Sequence, residues 1–157
     1  MKAFRELLAA AALAFTIFTV ATNYSALPKR IPTHFDAHGA INGWGDKSTL
    51  WSLVAVVAFQ YILLSLIRFF PQSMMNLPIR PEQRAAALPF GYAMADWIKA
   101  EVCCLFAFIV HSMLAAAKGH AQGPGLGFTV SLVAIFGTSI YYITRMTRVA
   151  ATTPETL

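Results

Sequence analysis

His34, Asp36 and His38 alternate along the segment His-Phe-Asp-Ala-His. Alternate residues of an extended chain point the same way, so the three side chains would converge. Two imidazoles and a carboxylate are donors suited to Zn²⁺ or Cu²⁺. A plainer arrangement has His34 bonded to a backbone carbonyl or to Asp36, pinning the segment, with His38 in solvent. Gly39 follows at once and bends the chain, which works against a closed ligand set. No resident metal is therefore expected, and His34, Asp36 and His38 are the residues that would hold one. The chain carries no GxSxG, no HExxH, no clustered carboxylate pair and no phosphate-cradling loop, so neither enzyme activity nor a cofactor is expected.

These residues sit in the most polar stretch of the chain, Leu27–Lys47, reading LPKRIPTHFDAHGAINGWGDK. Pro28 and Pro32 hold Leu27 and Ile31 extended, so the first six residues are expected to lie stiffly on whatever supports them. Gly39, Gly43 and Gly45 are expected to supply sharp bends. Ile31, Phe35, Ile41 and Trp44 would pack down, while Asp36, Asn42 and Asp46 form local turns. The expectation is an ordered irregular loop, and ordered loops on rigid scaffolds are where binding sites concentrate.

The scaffold follows from where charge is missing. Of 157 residues, 57% are hydrophobic and 12% charged, against roughly half and a quarter in soluble domains. A soluble fold this short could not bury so much apolar surface. Leu7–Thr22, Leu50–Ile67, Val102–Ala117 and Leu126–Thr144 are nearly charge-free, and with their flanks each reaches the roughly 17–25 residues that cross a bilayer. The predicted fold class is an all-α integral membrane protein. It is a single domain over 1–157, a four-transmembrane-helix bundle with helices at about 4–23, 49–70, 96–117 and 126–146, and an ordered extracytoplasmic loop over 24–48 joining the first two. The first helix is expected to be a retained anchor, because no small-x-small cleavage site follows it cleanly.

Lys2, Arg5, Arg68, Arg80, Arg84, Lys99, Arg145 and Arg148 fall on one side of such a bundle; Lys29, Arg30, Lys47 and Lys118 fall on the other. That bias places both termini in the cytoplasm. The net charge of +5 is then topological, and no nucleic-acid partner is expected. Adjacent Cys103 and Cys104 point about 100° apart on a helix and would not pair.

Between helices two and three, Pro71, Pro78, Pro81 and Pro89 forbid a continuous helix. Pro81-Glu82-Gln83-Arg84 suits a first helical turn, leading a short amphipathic helix into helix three with Met74, Met75, Phe90, Tyr92 and Met94 at the interface; a plain packed connection is the alternative. His120, in the glycine turn between helices three and four, is expected in solvent. Gln60, His111, Ser131, Thr138 and Ser139 are expected to face the bundle. Asp96, Lys99 and Glu101 are expected to snorkel to the inner interface rather than relay protons.

At the polar loop the sequence resembles a known family. Leu27-Pro28, Ile31-Pro32-Thr33-His34-Phe35, Gly39, Gly43-Trp44-Gly45 and Lys47 match the pattern LPxxIPxHFxxxGxxxGWGxK. That pattern marks the domain of unknown function 1648 family, found at the N-terminal end of SdpI-type immunity proteins, bacterial membrane proteins that protect cells from a secreted toxic peptide. The likeness is clearest over residues 24–76. The family often has an acid where Asn42 stands and a small polar residue where Asp46 stands. The resemblance implies a multi-pass protein of the bacterial inner membrane, with Pro32, His34, Phe35, Asp36, Gly39, Gly43, Trp44 and Lys47 as the binding or signature loop. The function it implies is non-enzymatic binding of a peptide or protein at the extracytoplasmic face. Phe35 and Trp44 would be anchors, and Lys29, Arg30 and Lys47 would attract an acidic partner or lipid headgroups. The alternatives are an accessory subunit of a larger membrane complex, respiratory or photosynthetic in type, and a metal-binding loop protein.

Overall fold

The computed structural model describes residues 1–36, 38–70, 80, 83–119 and 123–152. Helix α1 spans Lys2–Asn23 and ends in a 3₁₀ turn, Tyr24–Ala26. Strands β1 (Arg30–Phe35) and β2 (Ile41–Asp46) follow. Then come α2 (Thr49–Leu66) with a 3₁₀ turn over Ile67–Phe69, α3 (Arg84–Ala117) and α4 (Gly125–Thr152). Four helices are long and apolar enough to cross a membrane, one for each charge-free run.

The loop, expected to be irregular, is instead an antiparallel hairpin. Arg30 pairs with Asp46, Ile31 with Gly45 and Pro32 with Trp44; irregularities follow, and the pairing resumes with His34 opposite Gly43 and Phe35 opposite Ile41. The glycines do two different jobs. Gly39, at φ +84, makes the reversal. Gly43 and Gly45 are not bends but clearances: a Cβ on Gly43 would lie 2.8 Å from His34 Cβ, and one on Gly45 would lie 2.9 Å from Thr33 Oγ1. The strands can approach there because one partner has no side chain.

Helix α3 starts earlier than expected and runs through Pro89 without ending. Pro89 lies near the start of the helix and is exposed, so its missing N–H and its ring disturb only the first turns. The readings at Pro71, Pro78, Pro81, Glu82, Met74 and Met75, and the placement of His120, lie outside the described residues. Ser48 occupies the cap position of α2 without a side-chain cap. Asp46 Oδ1 instead accepts the Ser48 N–H at 2.8 Å.

The helices do not form a symmetric bundle. Helix α3 is the axis: α1 and α2 pack on it, and α4 packs on it as well, without an extensive contact to α1 or α2. Only Met146 and Ala150 are buried on α4. One apolar cluster, at the hairpin end, joins Val20, Leu27, Ile31, Leu50, Val54, Val110, Met113 and Leu114. A second, nearer the other end, joins Ala9, Val57, Ala100 and Cys103. Ile31 is fully buried in the first, which fixes the hairpin to the helices. The outward surface is apolar, with Phe18, Phe59, Ile62, Val130, Val133, Phe136 and Ile140 exposed.

Candidate functional site

Strand β1 packs against α3 and β2 lies outside it. Pro32 is buried beneath the sheet. Having no N–H, it offers no donor to its partner Trp44, and Arg30 Nη2 donates to Trp44 O at 3.2 Å. Phe35 is half-buried and its ring lies over Gly123, where a Cβ would approach within 2.1 Å of Cδ1. Beside it the Gly123 N–H donates to Gly39 O at 2.8 Å. The tip of the hairpin is thus clamped to the residues that lead into α4.

The three proposed metal donors are not brought together. His34 Nδ1 pairs with Asn42 Oδ1 across the hairpin. Asp36 Oδ1 accepts the amides of His38 at 2.8 Å and Ala40 at 2.9 Å, and the backbone closes around it through Asp36 N–H to Ala40 O and Gly39 N–H to Asp36 O. His38 is exposed. Among the described residues no three His, Cys, Asp or Glu side chains could hold an ion. The physical reason is the reversal at Gly39: Asp36 serves as an Asx turn, and its oxygen is spent on backbone.

Those amide donors hold the Asp36 carboxyl below the ordinary aspartate range, the Ala40 N–H most strongly. The Ser48 backbone N–H and then its hydroxyl do the same for Asp46. Hydrogen bonds to the charged form favour it, so both turns are built around carboxylates.

Lys47 is also committed to the fold rather than to a partner. Its ammonium donates to Tyr24 O at 3.0 Å and Leu27 O at 3.2 Å and lies 4.6 Å from the Tyr24 ring centroid. It caps the carbonyls where α1 ends, as cations near helix C-termini do. Ile41 and Trp44, expected to pack down, instead face outward, with Trp44 55% exposed.

Under β1 lies a cleft of about 480 Å³. Thr33, His34, Phe35 and Asp36 form one wall; Ile109, Pro124, Phe128, Thr129 and Leu132 form the other. Its lining is mostly apolar, with Thr33, His34, Asp36 and Thr129 as its polar side chains. That is the usual composition of sites for small organic groups or single side chains.

At the opposite end lies a polar network that the snorkelling expectation missed. Lys99, 1% exposed, turns inward. Its ammonium meets Glu6 Oε2 at 2.5 Å and Ser65 Oγ at 3.1 Å. The Tyr61 hydroxyl donates to Glu6 Oε1 at 2.6 Å. Asp96 is buried and accepts Arg68 Nη2 at 2.6 Å, with Arg5 Nη2 at 3.6 Å. Glu101 accepts the Thr138 hydroxyl across to α4 at 2.6 Å. Snorkelling fails here because α1 and the 3₁₀ turn after α2 bring counter-charges to the same face of α3. Asp96 and Lys99 are three residues apart, hence on one helical face, and that spacing was the available signal. Gln60 behaves as expected in part: Oε1 accepts the Cys103 thiol at 3.9 Å, while Nε2 has no partner among the described residues. His111 does not face the core; it is exposed, with Phe15 at 6.4 Å between ring centroids.

Residues 11–58 match the family model described as Domain of unknown function (DUF1648), a span that takes in the second half of α1, the whole hairpin and the first half of α2. No curated protein and no solved structure matches the chain.

Proposed function

We propose that the protein is a multi-pass, non-enzymatic binding protein of the bacterial inner membrane. Both termini are cytoplasmic, and the hairpin binds an extended segment of a peptide or protein at the extracytoplasmic face, in the manner of an SdpI-type immunity protein. The observation that carries this reading is the division of labour in the hairpin. Strand β1 is held by Ile31 and Pro32 against α3, while β2 turns Ile41 and Trp44 to the outside. A pinned two-stranded sheet with a free outer strand and an exposed indole offers main-chain pairing to an added strand and an aromatic anchor beside it. Trp is among the residues that dominate binding energy at interfaces. The bilayer is the other partner, through the apolar outward surface. The orientation rests on the distribution of Lys and Arg.

A second reading is favoured by α4, whose most apolar stretch has no buried residue. Val133, Phe136 and Ile140 would then dock a neighbouring membrane subunit, and the protein would be an accessory component of a larger assembly.

One experiment separates the two. A photo-crosslinking amino acid is placed at Ile41, Trp44 or Phe136 in the natively expressed full chain, and adducts are identified after irradiation of intact cells. A discrete polypeptide adduct from positions 41 and 44, with none from 136, supports the binding hairpin. Adducts from 136 to a larger membrane protein support the accessory subunit. An inserted protein that yields no polypeptide adduct from 41 and 44 overturns the first reading.

A further inference from the structure

A second concavity lies away from the hairpin, on the opposite flank of α3, and nothing above uses it. It is about 340 Å³, lined by Thr19 and Asn23 of α1 and by His111, Leu114, Ala115 and Lys118 at the end of α3. Helices α1 and α3 run side by side in the same direction, so the groove follows their axes. Lys118 and His111 are seven residues apart, two turns on one face, a separation of roughly 10 Å. The groove therefore runs from a cation at the helix end to an imidazole about 10 Å deeper in the apolar span.

The chemistry at its mouth is unbalanced. An ammonium has three donors, and that of Lys118 gives one to Asn23 Oδ1 at 2.5 Å. Among the described residues it has no carboxylate partner. The two acids at this end, Asp36 and Asp46, are taken up in the hairpin turns. Deeper down, His111 is exposed on a helix long and apolar enough to span a membrane. Among the described residues it makes a ring contact with Phe15 and no hydrogen bond. A polar ring turned toward hydrocarbon is costly unless a ligand meets it.

The geometry points to a binding site for one anionic phospholipid of the leaflet at the hairpin end. The phosphodiester would accept the remaining Lys118 donors, and the glycerol-ester region would meet His111. Charge complementarity selects the ligand, since basic pockets between spanning helices recognise anionic headgroups. The groove also has the right order of polarity, charge at the rim and a neutral polar group below. An acyl chain would continue deeper along the exposed flank of α1, past Phe15.

The test is native mass spectrometry of the full chain in neutral detergent, titrated with phosphatidylglycerol and separately with phosphatidylcholine. One phosphatidylglycerol per chain is expected to be retained in preference to phosphatidylcholine by about fivefold. Lys118→Gln should remove the preference, Lys118→Arg should keep it, and Lys29→Gln, a cation outside the groove, should leave it unchanged. His111→Leu should weaken retention of the same single lipid. Equal retention of the two lipids, or a preference that survives Lys118→Gln, overturns the proposal. Displacement of the bound lipid by millimolar inorganic phosphate alone would assign the site to free anions and overturn it too.

Discussion

Lys99 Nζ lies 2.5 Å from Glu6 Oε2, joining residues 93 positions apart. The two partners are not equally sheltered: the Lys99 side chain is 2% exposed and that of Glu6 42%. The pair therefore breaks asymmetrically. Glu6→Gln leaves an ammonium buried against Ser65 and Tyr61 and should cost about 2–4 kcal/mol. Lys99→Met leaves a carboxylate that solvent and Tyr61 can reach, and should cost no more than about 1 kcal/mol. Thermal unfolding in detergent reads the order, and the double variant should lie nearer to Lys99→Met than to Glu6→Gln. Equal losses in the two single variants would contradict the burial asymmetry.

The clamp at the hairpin tip makes a second prediction. Gly123→Ala would drive a methyl into the Phe35 ring, so the hairpin must lift from the lead into α4, at about 1–3 kcal/mol. Gly137→Ala meets nothing within 4 Å and should be neutral or stabilise by about 0.5–1 kcal/mol through helix propensity. Hydrogen exchange over residues 30–46 should rise in the first variant and stay unchanged in the second.

The hairpin should loosen in acid. Asp36 and Asp46 are both held below the ordinary aspartate value of 3.8 by N–H donors. A carboxyl whose value is lower folded than unfolded contributes stability that is fully present above 3.8 and lost as pH falls through the lowered folded value. Exchange protection of the turn should hold from neutrality down to about pH 4 and fall below it. Asp36→Asn should reduce protection at neutral pH and flatten that acid dependence. A turn whose protection ignores acid would show that the two carboxylates contribute nothing.

Lys47 and Trp44 belong to the same signature but should separate in experiment. Lys47→Met removes two charge-assisted bonds to Tyr24 O and Leu27 O and should lower stability by about 1–3 kcal/mol. Trp44→Ala removes a largely exposed ring and should change stability by no more than about 0.5 kcal/mol, while abolishing crosslinks to a partner formed from position 41. Loss of both stability and partner in the Trp44 variant would make the indole a packing residue.

The four helices were legible because absence of charge is a property of composition, readable without knowing any contact. The hairpin was not. Its prolines and glycines read as loop signals, yet Pro32 faces a partner whose carbonyl is served by Arg30, and Gly43 and Gly45 exist to admit His34 and Thr33. Those roles depend on register, which a single strand does not reveal. Lys99 failed for a related reason: a charge near the end of a helix reads as reaching for water until α1 supplies Glu6. Within the loop, Phe35, Gly39 and Lys47 proved to hold the hairpin in place, and of its large apolar side chains Trp44 and Ile41 are left turned outward.

The position of α3 sets an order on biogenesis. Helices α1 and α2 are made before α3 but touch each other less than either touches it, so each finds its main partner in a segment made later. Until α3 emerges, Glu6 waits without its lysine and Ile31 without its pocket, so the early chain is a pair of loosely tethered helices. Arrival of the third helix closes both clusters at once. Gly123 follows α3 in the chain, so its settling against Phe35 fastens the hairpin only after the third helix is in place.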